Sequence, residues 1–247
     1  MLGETKTVRE AIDWFDGETT EKGWNGFPAN FILADTTGDI GYIVVAPAPV
    51  RKDKTPYIGS RVLDGRTTAY DWEFDRTAPL TELPRSLNPS KGYIVTANNR
   101  HHPDNVKYDH GVGIMSTPRQ QRIVEMIEDG IKAGKKFTIE DMSDMQQDVI
   151  DVQARRLVDY IKRMCTYVKF SPGIGIMESG GGYEPMLRLL EGWDGSFDEE
   201  SVAATVYSFA MLKFNKSLFH KYEPDPEQRA NMVDGYLQPY FVERLIR

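Results

Sequence analysis

Apolar residues recur at helical spacing near the start of the chain. Val8, Ala11, Ile12 and Phe15 fall on one face of a helix over residues 7–16, with Gly17 read as its end. From Asn30 the period changes to that of strands. Residues 31–35 (FILAD) and 40–45 (IGYIVV), separated by Thr36-Thr37-Gly38-Asp39, read as strand, turn and strand, a β-hairpin. Pro47, Pro49 and Pro56 then stop the second strand, because proline lacks the ladder donor, and a polar loop is expected up to Gly65. Residues 72–85 read as loop, with Leu83-Pro84 and Asn88-Pro89 as turn signals. Residues 93–97 (YIVTA) are rich in β-branched side chains and read as a third strand, closed by Asn98-Asn99-Arg100.

After residue 115 the pattern turns helical. Thr117-Pro118 supplies a cap and a first-turn proline, and Ile123, Met126, Ile127 and Ile131 make an apolar stripe that ends before Gly134. Thr138-Ile139-Glu140-Asp141 resembles a capped start with acids in the first turn, leading through Met145, Val149, Val152 and Ala154 to Ile161 and Met164. A further helix is expected from Asp198 or Glu199 to Phe219, burying Val202, Ala203, Val206, Tyr207, Ala210 and Leu218. Sheet to about residue 100 and helices after about 115 is an α+β arrangement. Neither an internal repeat nor a linker separates the portions 1–114 and 115–247, so a single domain is expected.

Composition narrows the function classes. The 247 residues are 40% hydrophobic and 27% charged, enough apolar side chain for a sizeable core. Thirty Lys and Arg against 37 Asp and Glu give a net charge of −7, the wrong sign for a nucleic-acid partner. The basic stretches at residues 51–54 and 132–136 are short and interrupted, and read as solvated surface. No apolar run approaches the ~18 residues that span a bilayer, so no membrane partner is expected. The opening residues lack the apolar core of a secretory signal. Cys165 is the only cysteine and is read as a buried structural thiol.

Three clusters invite chemistry and have plainer readings. His101, His102, Asp104, Asp109 and His110 include metal-ligating types, but adjacent histidines on an extended segment point oppositely and no helical His-x-x-x-His fixes a geometry; a polar surface loop is preferred over a metal-dependent hydrolase. Gly173-Ile174-Gly175 and Gly180-Gly181-Gly182 are not followed by Lys-Ser or Lys-Thr, so they read as a loop between helices and not a phosphate cradle. Ser60 lies outside any G-x-S-x-G elbow and reads as a turn residue. What remains is a strand ending in paired asparagines. An asparagine amide held there can donate to an oxyanion, although asparagine is also common at such ends because it tolerates turn conformations.

Four blocks in a fixed order carry a resemblance. PANFILADTTGDIGYIVVAPAPVR (28–51), LPRSLNPSKGYIVTANNR (83–100), TPRQQRI (117–123) and LLEGWDGSFDEESVAATVY (189–207) together resemble the penicillin acylase family of N-terminal nucleophile hydrolases. The resemblance implies part of a four-layer αββα fold and a hydrolase of linear amides, made as a precursor that cuts itself into two chains. It implies a new N-terminal Ser, Thr or Cys as nucleophile, with its own α-amino group as base. Asn98 falls on the family's oxyanion-hole asparagine and Arg119 on an arginine that orients the site, while Asn99 and Tyr93 match supporting positions. Asp109 and Pro56 align with positions that hold a structural calcium ion in some members, Pro56 through its carbonyl; no other cofactor is implied. Trp193-Asp194-Gly195 and the helix start at Ser201-Val202-Ala203-Ala204 match a later helical region, where packing is the preferred role.

The chain also departs from the family pattern. The nucleophile of the family sits farther upstream of the paired asparagines than the 97 residues available here. The chain is therefore expected to be an internal slice that lacks the nucleophile and is inactive alone. Its expected partners are a small-molecule amide and the upstream segment, or separate chain, that carries the nucleophile. The rival expectation is a truncated paralogue that serves as a binding or structural module. The pocket that would set acyl specificity, and the compartment, are left open by these residues.

Overall fold

The computed structural model describes residues 3–21, 28–55, 58, 61–101, 107–108, 118–169 and 184–222. The chain divides into two units, Met1–Met115 and Ser116–Arg247. The division falls where the sequence changes from strand-like to helical character.

In the first unit, α1 spans Val8–Glu21. Its start is set reciprocally: the Glu10 N–H donates to the Thr7 hydroxyl, and the Thr7 N–H donates to the Glu10 carboxylate. The helix runs four residues past Gly17, because a glycine ends a helix only where it turns left-handed, and Gly17 does not. The expected hairpin is present, with β1 at Ala29–Ala34 antiparallel to β2 at Ile40–Val45 and Ala34 opposite Ile40. β3 (Pro49–Arg51) pairs with β4 (Trp72–Thr77) in a separate two-stranded sheet. A 3-10 turn at Leu80–Glu82 leads to β5 (Arg85–Leu87), which pairs with the other side of β2.

Two of these strands correct the expected loops. β4 reads WEFDRT, where apolar Trp72 and Phe74 alternate with charged Glu73 and Asp75, a period-2 pattern that the high charge obscures. Pro49 opens β3 without penalty because the first residue of an edge strand needs no donor. A third correction concerns residues 93–97, which form no ladder. β1 and β5 already flank β2, so its hydrogen-bonding edges are taken and β-propensity alone finds no partner.

α1 packs on this sheet. Phe15, Ile43, Val45, Val50, Ala78, Leu80, Leu83 and Tyr108 form one buried cluster, with Ile12, Trp14 and Phe31 against it. Gly41 permits the close approach: a Cβ there would stand 2.7 Å from a Val8 methyl carbon. The Arg85 guanidinium on β5 grips the Asp16 carboxylate of α1 through two 2.8 Å bonds.

The other end of α1 is tied to the hairpin turn by Asp35. Its carboxylate accepts from the Thr37 hydroxyl at 2.6 Å, the Val8 N–H at 2.9 Å and the N–H groups of Thr37 and Asp39. These donors, the Thr37 hydroxyl first, hold the acid down at about 2 from its ordinary 3.8. A lowered carboxylate stabilises the fold fully above its ordinary value and loses that contribution as pH falls through about 2. The stability difference between wild type and Asp35→Ala is therefore expected to shrink across that window, as read from urea midpoints on either side of it. A difference that stays constant through the window would show that the charge is not the tie.

The second unit is helical: α2 (Pro118–Lys132), α3 (Ile139–Gln146), α4 (Val152–Lys169), α5 (Glu184–Leu190) and α6 (Val202–Tyr222). α2 starts at the expected proline, and Gly134 beyond its end is left-handed. Thr138 and Asp141 form a capping box at the start of α3. The stretch from Thr138 to Met164, expected to be continuous, breaks at residues 147–151. There Asp151 turns its carboxylate onto the N–H groups of Gln153 and Ala154 and so caps a new helix, α4. The core of this unit joins Ala154, Leu157 and Val158 of α4, Leu190 of α5 and Tyr207 of α6.

α6 begins three or four residues after the expected start at Asp198 or Glu199, because the Ser201 hydroxyl accepts from the Ala204 N–H and acts as the cap. Its buried face is narrower than expected. Ala204 and Tyr207 are buried, whereas Val202 is 60% exposed and Ala210 is also exposed. The Cys165 and Leu218 side chains lie outside the described residues, as do the two glycine clusters at 173–175 and 180–182. Among the described residues no helix is long and apolar enough to cross a membrane.

Candidate functional site

The paired asparagines sit in a short braced loop of the first unit. Asn98 is exposed and left-handed, with φ at 60°. Asparagine is one of the few residues with a side chain that enters this region at low cost. The two neighbours divide the labour. Asn99 Oδ1 accepts from the Ala97 N–H at 3.0 Å, and Asn99 Nδ2 donates to the Arg100 carbonyl at 3.1 Å, so this side chain builds the turn. Asn98 itself lies between these two bonded positions on the turn.

A side-chain bridge closes the loop at its base. Thr96 Oγ1 lies 2.7 Å from His101 Nε2. The imidazole in turn packs on the Tyr42 ring, with centroids 4.7 Å apart and planes tilted by 34°. Tyr42 is buried in the middle strand β2, and its hydroxyl donates to Asn30 Oδ1 of β1 at 3.1 Å. Burial pushes the phenol up to about 12, so it stays neutral and keeps that donor. The platform under the loop is therefore a flanked strand. Lys91 Nζ stands 4.6 Å over the Tyr93 ring at the entrance to the segment, a cation–π contact.

Arg119 belongs to the second unit, exposed on the first turn of α2. Arg122, one turn on, is differently placed. It grips Asp148 through bonds of 2.8 and 2.7 Å and also meets Glu125, which Arg155 of α4 reaches from the other side. The guanidinium holds the Asp148 acid below its usual range. Of the two arginines in TPRQQRI, Arg122 thus fastens α2 to the turn before α4. Asn98 lies in the first unit and Arg119 in the second.

Pro56, Ser60, His102, Asp104, Asp109 and His110 lie outside the described residues. Thr55 and Tyr108, neighbours of Pro56 and Asp109, line one small cavity together with Arg51, Lys54, Trp72 and Lys107. Among the described residues no group of three or more His, Cys, Asp and Glu side chains is arranged to hold a metal ion. Trp193 meets Phe197 edge-on and the Tyr207 ring at a tilt, and donates its indole N–H to the Ser196 carbonyl, which is a packing role. Sequence reasoning missed the Thr96 and His101 bridge and its Tyr42 base. The β-branched run at 93–97 puts Thr96 inside a strand, and a contact across a loop leaves no periodic signal.

A family model described as penicillin amidase matches residues 6–243. The chain is 27% identical over 191 residues to the penicillin acylase 2 proenzyme of Pseudomonas sp. (strain SE83), a match covering 76% of this chain and 22% of that protein. In fold it is similar to a thermostable penicillin G acylase from Alcaligenes faecalis in orthorhombic form. The TM-score is 0.67 at 18% identity, over 94% of this chain and 38% of that one. The chain thus spans about a fifth of the length of that curated relative.

Proposed function

The chain belongs to the penicillin amidase family, and on that premise we propose that it forms part of a hydrolase of linear amide bonds. In this reading Asn98 is an oxyanion donor and Arg119 orients the site. The nucleophile is an N-terminal Ser, Thr or Cys supplied by a further segment or chain. Its α-amino group, with an ordinary pKa near ~8, takes the nucleophile's proton at neutral pH. The nucleophile's oxygen or sulfur then bonds to the amide carbonyl carbon, and the carbonyl oxygen gathers negative charge that the Asn98 amide stabilises by donating to it. The C–N bond breaks as the amine leaves with the proton, and water then releases the acid from the acyl-enzyme.

The observation that carries this reading is the position of Asn98, exposed and left-handed on a turn whose geometry the Asn99 side chain maintains. A donor already held in place needs no reorganisation as charge develops, which is what makes such a group effective. The word proenzyme in the name of the Pseudomonas relative supports synthesis as a precursor. A structural calcium ion fits the same reading. The Asp109 carboxylate and Pro56 carbonyl are oxygen donors of the kind calcium takes.

The test is the N-terminal sequence and intact mass of the native protein with any chain that co-purifies, together with an assay for release of amine from linear amides. The expected result is a species beginning at Ser, Thr or Cys and measurable hydrolysis. A protein that begins at Met1, travels alone and cleaves no amide would overturn the proposal in favour of a binding module.

A further inference from the structure

A left-handed asparagine on an exposed turn is a useful oxyanion donor only if the turn cannot drift. Asn99 braces the turn from within, but its bonds reach only to Ala97 and Arg100 and fasten nothing to the sheet. A tie to the sheet comes from one step further out. Thr96 and His101 bracket the turn, their side chains meet at 2.7 Å, and the imidazole rests on the buried Tyr42 ring of β2. The short chain between the two residues is thereby closed into a ring of fixed circumference and seated on the middle strand of the sheet.

We infer that Thr96 and His101 form a clasp that positions the Asn98 amide, making them positioning residues for the reaction; the inference rests on the reading of Asn98 given above. The clasp acts through Asn98 and touches no reacting atom. Opening it leaves the turn intact but lets it shift against the sheet. Displacement of a catalytic group by about 1 Å can cost on the order of 100-fold in rate. The loss belongs in kcat, because the oxyanion exists only as the reaction proceeds and the ground-state carbonyl needs the donor less.

The experiment is a double-mutant cycle in the assembled, active enzyme. Thr96→Val keeps the side-chain shape and removes the hydroxyl. It is expected to lower kcat by about 10- to 100-fold with KM nearly unchanged, and Thr96→Ser is expected to restore most of the loss. In an Asn98→Gly background the same Thr96→Val change is expected to cost almost nothing further, because the group it positions is gone. Should Thr96→Val not yield folded enzyme, His101→Phe carries the same test, since it keeps a ring on Tyr42 and removes the bond to Thr96. Wild-type kcat in the Thr96 or His101 variant, failure of the serine to rescue, or an equal fold-loss in both backgrounds would each overturn the clasp. Near-full activity of Asn98→Gly alone, or an assembled enzyme that cleaves no amide, would overturn the reading of the site and the clasp with it. A normal Thr96→Val beside a crippled Asn98→Gly would overturn the clasp alone.

Discussion

Replacing Asn98 with glycine in the complete enzyme is expected to lower kcat by about 100- to 1,000-fold while KM changes little, the loss that follows removal of one oxyanion donor. Glycine is the informative choice. Asn98 has φ at 60°, and alanine would add backbone strain there, whereas glycine takes this conformation freely and removes only the amide. The Asn99 bonds to Ala97 and Arg100 do not involve the Asn98 side chain, so the turn is expected to survive the change. Steady-state kinetics on a linear amide substrate checks the result, with Asn98→Ala beside it as a second measure of the same loss. A rate near wild type in the glycine variant would mean that this asparagine serves the turn and not the chemistry.

The largest loss of stability is expected from Phe15→Ala, at about 3–5 kcal/mol. Phe15 is 1% exposed and stands at the centre of the first unit's core, with its ring 4.8 Å from Phe31 on β1 and 5.2 Å from Trp14. Helix and sheet are both fixed around it, by Gly41 against Val8 and by Arg85 against Asp16, so the site has little freedom to collapse into the space left behind. Against a typical net stability of about 5–15 kcal/mol, such a loss removes a large share. Urea denaturation is expected to show a lower midpoint for Phe15→Ala. Ile32→Ala is the control, because Ile32 is 50% exposed and loses far less buried surface. A midpoint as high as that of the control would show that α1 does not depend on this ring. The prediction reaches the site as well, since β2 carries the Tyr42 ring on which His101 rests.

What could be read from the chain before folding has a common character. The β1–β2 hairpin, the start of α2 at Pro118 and the cap at Thr138 are each written within a few neighbouring residues, where spacing, turn chemistry or a fixed φ decides the outcome. Asn98 and Arg119 are proposed on another ground, the order of four sequence blocks that resemble one family. The failures are equally particular. Residues 93–97 have the composition of a strand, yet β5 occupies the edge of β2. Asp151 interrupts an apolar pattern that would otherwise continue, because its carboxylate caps a new helix.

The sequence by itself therefore determined the α+β class, the hairpin, the helix starts that carry their own caps, the acidic balance that argues against nucleic acid, and the family. These follow from local spacing and composition, which the chain carries wherever it goes. Only the tertiary structure decided which strand took each edge of β2, which of the two arginines in TPRQQRI is fastened to Asp148, and how the Asn98 turn is seated. Those outcomes depend on partners brought together from distant positions, such as Arg122 with Asp148 or Tyr42 with His101. Each hydrogen-bonding edge or charged group goes to whichever partner the packed fold places within reach, and no local pattern encodes that competition.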